Sequence, residues 1–112
     1  MSEGLTLDDL AVPLRALRLL AVDFGRLPAP ALRVGAVYPN RLDLSFHDDL
    51  AGFEVWREAL GIAPEAVAHS TQSDGETRVL KATADFAGAV LVLTGFADIT
   101  APAPSSAEGV AE

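Results

Sequence analysis

The stretch Glu76–Asp98, ETRVLKATADFAGAVLVLTGFAD, decides how the rest of the chain is read. Glu76 to Phe86 has the length and composition of a long strand. Ala87-Gly88 turns the chain, and Ala89 to Phe96 returns with apolar side chains on both faces until Gly95. Strand side chains alternate between faces, so continuous apolarity marks a central strand or one whose second face meets a partner. Just upstream, Ala66 to Gln72 forms a modest strand, and Ser73-Asp74-Gly75 supplies a strong turn signal. The C-terminal half is therefore a three-stranded meander.

Working toward the N-terminus, Asp48 or Asp49 is suited to cap a helix through about Leu60, with Gly61 in the stop position. Leu50, Phe53, Trp56 or Arg57, and Leu60 trace its inner face. Before it, Leu32 to Tyr38 and Arg41 to His47 both alternate with period two around Pro39-Asn40, which predicts a hairpin. Leu7, Leu10, Leu14, Leu17, Ala21 and Phe24 recur at helical spacing. A proline inside a helix costs about 3 kcal/mol, so Pro13 predicts a regular helix that starts between Leu10 and Pro13 or bends there. The order α-β-β-α-β-β-β implies an α+β two-layer sandwich: a five-stranded, mostly antiparallel sheet with two helices on one face. Residues 1–98 read as a single domain and 99–112 as a flexible C-terminal tail. Strand order is left open by this pattern.

Composition narrows the function classes. The chain has 112 residues, no cysteine, and 16 acidic against 8 basic residues, for a net charge of -8. Half its residues are hydrophobic and its mean hydropathy is +0.29, which excludes wholesale disorder. Without cysteine there is no thiol nucleophile, disulfide scaffold or thiolate metal site. An acidic chain is a poor match for phosphate backbones, so direct nucleic-acid binding is not expected. Ala87 to Leu93, the longest apolar run, falls far short of the ~20 residues of a membrane span. Glu3, Asp8 and Asp9 do not fit a basic secretory leader, and a cytoplasmic location is expected.

No residue pattern predicts a catalytic or cofactor site. His47, Asp48 and Asp49, with His69 on another strand, are the one weak alternative site, as ligands of a divalent metal. Sequential neighbours rarely converge on one ion, and helix capping accounts for the aspartates. His69 and Ser70 point to opposite sides of a strand, and no nucleophile elbow surrounds the serine. The prediction is no catalytic residue, no metal and no cofactor.

The second face of the sheet is more informative. If helices cover Leu44, Phe46, Leu80 and Phe86, the other face carries Val37, Val79, Lys81, Thr83 and one set from the last strand. That set is either Val90 and Val92 or Leu91 and Leu93, apolar in both cases. Exposed apolar patches mark binding surfaces, so Tyr38, Val79, Val90, Val92 and Phe96 are the candidate interface. A protein partner or homodimer is the expectation. An acidic decoy imitating DNA, built from Asp43, Asp48, Asp49, Glu54, Glu58 and Glu65, is an alternative, as is a small-molecule pocket near His47 or Tyr38.

The segments LDLSFHDDLAGFEVWREALGI (42–62), QSDGETRVL (72–80) and VLTGFAD (92–98) resemble a family of small actinobacterial proteins with no established activity. The resemblance covers roughly residues 10–98. It implies no catalytic or binding residues, and favours accessory and interaction roles over metabolism.

Overall fold

The computed structural model describes residues 5–72 and 75–98. A 3-10 turn, Leu7–Leu10, leads into helix α1, Ala11–Asp23. Two strands follow, β1 at Ala31–Arg33 and β2 at Arg41–His47. Helix α2 spans Leu50–Ala59, and a 3-10 turn at Pro64–Ala66 precedes β3 at Ala68–Thr71. Strands β4, Thr77–Phe86, and β5, Ala89–Asp98, complete an α+β fold. The expected tail beyond residue 98, and Ser73 and Asp74 of the expected turn, lie outside the described residues.

The five strands form one sheet in the order β1-β2-β5-β4-β3. Neighbours are antiparallel except β2 and β5, which run parallel over seven residue pairs, from Arg41 opposite Val90 to His47 opposite Phe96. Ala87 and Gly88, with φ of 52° and 82°, make the two-residue turn between β4 and β5. Both positive angles suit the twist of an antiparallel pair.

Both helices lie on one face, over the central strands. Leu42, Leu44 and Phe46 of β2, Leu91 and Leu93 of β5, and Leu80 and Ala82 of β4 point beneath them and are buried. Leu20 of α1 and Phe53 and Trp56 of α2 fill the space above. The Trp56 indole donates to the Pro28 carbonyl at 2.7 Å, tying α2 to the segment that leaves α1. Phe46 meets the Phe53 ring edge-on at 6.2 Å. Gly95 interrupts the apolar run of β5 because α2 sits directly on it: a Cβ there would lie 3.1 Å from Leu50 and 3.3 Å from Phe53.

Arg57, buried on the same helix, forks onto the Glu54 carboxylate at 2.8 and 3.0 Å and donates to the Ile62 carbonyl at 2.6 Å. The hydrogen bond to Glu54 raises its pKa above the ordinary arginine value. The guanidinium is thus charged at every working pH and pins the turn after α2.

Two local expectations are corrected. The first hairpin does not run to Tyr38. Strand β1 stops at Arg33, and 34–40 form a loop closed by the Arg41 amide donating to the Tyr38 carbonyl. Pro39 and Asn40 occupy that turn as their residue types suggest, but at the mouth of β2. Strand β1 is an edge beyond the helices, with Leu32 still 47% exposed, so extending it buries little. On α1 the inner stripe is Pro13, Ala16 and Leu20, flanked by Leu17 and Phe24, while Leu7 and Ala21 are exposed. Pro13 is accommodated as the third residue of the helix, where a backbone N–H has no partner within the helix.

Gly95→Val should place three carbons against Leu50 and Phe53 and lower stability by about 1–3 kcal/mol, the usual cost of overpacking. Urea denaturation followed by circular dichroism measures this, and Gly95→Ala should lose less.

Candidate functional site

Pairing parallel to β2 determines which side of β5 faces away from the helices. Leu91 and Leu93 lie inside, so Val90, Val92, Thr94, Phe96 and Asp98 belong to the open face. On β2 the same face carries Arg41, Asp43, Ser45 and His47, and on β4 it carries Thr77, Val79, Lys81, Thr83 and Asp85. Cross-strand partners therefore form rows. Arg41, Val90 and Asp85 stand side by side, then Asp43, Val92 and Thr83, then Ser45, Thr94 and Lys81, then His47, Phe96 and Val79. A mainly apolar column along β5 has polar columns on both flanks.

The candidate residues fall unequally on this surface. Val79, Val90, Val92 and Phe96 share it, with Val90 39% exposed and Val92 almost covered by its neighbours. Tyr38 lies in the loop before β2 and is 55% exposed. It joins the rim of the same face through Arg41, whose guanidinium lies 4.1 Å above its ring. Such a cation–π contact holds both side chains in place. Val37, 82% exposed, extends that rim instead of lying within a strand.

Charged groups complete it, of which Lys81 alone was expected on this face. The Arg41 Nε donates to Asp43 at 2.8 Å, and Arg33 approaches the other oxygen of the same carboxylate at 4.0 Å. A shallow recess of about 320 Å³ opens beside them, with Val79, Val92 and Phe96 on its floor and Lys81 opposite. Lys81 and Asp85 have no ion-pair partner among the described residues. Strand alternation signalled Arg41 and Asp43 as one polar face, but only the parallel pairing places them beside Val90 and Val92.

The weak alternative site is not assembled. His47 stacks on Phe96, with ring centroids 4.8 Å apart and planes 9° from parallel. Asp49 caps α2, its side chain accepting from the Gly52 amide at 2.9 Å, and Asp48 adopts φ of 56° in the junction. His69 lies on β3, at the far edge of the sheet and on the helix side, since it pairs with Leu80. Among the described residues no three metal-ligating side chains come together.

The acidic residues are also divided. Asp43 is on the open face between two arginines, while Glu54 and Glu58 flank Arg57 on α2. Near His47 and Tyr38 the recesses belong to the open face rather than to the space between helices and sheet. An apolar groove of about 200 Å³ does exist on the helix side, between the end of α1, residues 25–30 and Trp56.

No family model matches this chain, and neither a curated protein nor a solved structure is detectably similar to it.

Asp49→Ala should cost about 1 kcal/mol through loss of the cap. Its melting temperature should fall equally with and without added zinc, whereas a metal ligand would show a zinc-dependent difference.

Proposed function

We propose that this chain is a non-enzymatic protein-interaction or regulatory accessory module, self-association included, and that it docks a protein on the open face of its sheet. The observation that carries the reading is the open-face column Val90, Val92 and Phe96, with Val90 exposed and Val92 recessed between its neighbours, extended by Val79 and rimmed by Tyr38 and Arg41. Apolar centres with aromatic and arginine residues beside them are the usual composition of protein interfaces. The setting proposed is the cytoplasm, without nucleic acid or membrane. The acidic excess supports the former exclusion. No helix among the described residues is long and apolar enough to cross a membrane.

A double variant, Tyr38→Ala with Val90→Asp, tests the reading because both side chains are exposed and their loss spares the core. Tagged wild-type protein should retain a stoichiometric protein partner from its native host after nuclease treatment. The double variant, with an unchanged thermal melt, should lose at least nine-tenths of it. Equal retention by both would refute docking on this face. Trp56→Ala is unsuitable, since removing a buried tryptophan costs about 3–5 kcal/mol and reports folding.

A further inference from the structure

Charge on the open face follows a pattern that the composition hides. The whole chain has a net charge of -8, yet the strand residues of this face balance, with Arg33, Arg41 and Lys81 against Asp43, Asp85 and Asp98. The acidic excess lies elsewhere. Signs also reverse across β5. Reading from the same end, β2 presents Arg41 and then Asp43, whereas β4 presents Asp85, Thr83 and then Lys81. Each flank is the approximate electrostatic complement of the other.

We infer that the occupant of the open face is a second copy of this chain, packed face to face about a two-fold axis that runs along β5. This rests on the docking reading above and names its partner. Rotation about such an axis keeps every row opposite itself and exchanges the flanks. Arg41 then faces Asp85 of the other copy, an ion with no pair among the described residues. Lys81 faces Ser45, with Asp43 one row away. The column on the axis meets itself, Val90 on Val90, Val92 on Val92, Thr94 on Thr94 and Phe96 on Phe96, with His47 stacked behind each phenylalanine, and only at its exposed outer end does Asp98 come opposite Asp98. An isologous contact requires this kind of self-complementarity.

A two-fold running across the strands through the Thr94 row would put Lys81 against Lys81 in a desolvated contact. Juxtaposed like charges disfavour it. The strands, of 3, 7, 4, 10 and 10 residues, cover roughly 540 Å² at a rise of about 3.3 Å and a spacing of about 4.8 Å. With the Val37–Tyr38 rim added, that reaches the ~600 Å² per partner at the lower end of specific interfaces.

Because the chain contains no cysteine, single substitutions can map the axis. Light scattering on the wild-type protein should give twice 11.7 kDa at micromolar concentration. Thr94→Cys should cross-link to its own kind under mild oxidation or with a short bismaleimide. Arg41→Cys and Asp85→Cys should cross-link when mixed, at least tenfold more than either alone, with Val22→Cys on α1 giving the background. Circular dichroism establishes that each variant is folded. Asp85→Arg should raise the dimer dissociation constant at least tenfold, and adding Arg41→Asp should recover most of that loss.

A wild-type monomer at every concentration would overturn the second copy, while host-protein capture separately decides the broader docking reading. Efficient self-cross-linking of Lys81→Cys would overturn the axis in favour of the one across the strands. Cross-linking of Thr94→Cys no greater than that of Val22→Cys would overturn face-to-face packing.

Discussion

The parallel pairing of β2 with β5 is the constraint on which the rest of the structure depends. Parallel neighbours cannot be joined by a tight turn and need a crossover of a dozen or more residues. Residues 48–88 provide it, and they include α2 and the whole of β3 and β4. The pair at the centre carries the most buried side chains of the sheet, and both helices seat on it. Its register also aligns Gly95 with Phe46, leaving room for Phe53 to approach the backbone of β5. One pairing thereby determines the layer arrangement, the helix contact and the residues left on the far face.

Much of this was legible in the chain, and for identifiable reasons. The β4–β5 hairpin joins two long strand-forming segments by a two-residue turn, and local geometry suffices to specify it. The α2 cap at Asp49 and the inner positions Phe53 and Trp56 are likewise local. The first hairpin was only half legible, because alternation from Leu32 to Tyr38 records a propensity and not a burial. At an uncovered edge the reward for pairing is small, and the chain left β1 early. On α1 leucines are so abundant that several stripes are consistent with the pattern. The stripe that is buried runs through Pro13, Ala16 and Leu20.

The candidate surface divides along the same line. Its apolar members follow from the two-sided character of β5, which narrows the choice to even or odd positions. Selecting Val90, Val92 and Phe96 requires knowing which face of β2 lies beside them, a non-local fact. The arginines and Asp43 were invisible as members of that surface for this reason: each belongs to an ordinary alternating strand, and only strand order brings them to the apolar column. His47 illustrates the converse. Its aspartate neighbours suggested metal chemistry, but strand geometry turns the imidazole onto Phe96 while a helix engages Asp49.

Strand β3 carries a different implication. All four of its residues, Ala68 to Thr71, are exposed, and none is charged or a proline. Edge strands commonly bear lysine, proline or a bulge to discourage addition of a foreign strand. Among the described residues β3 itself carries no lysine or proline, and the net charge of -8 supplies long-range repulsion between molecules instead. That repulsion reaches only about 8 Å at physiological ionic strength. Salt shortens that reach further, so strand addition at this margin is expected to rise with ionic strength.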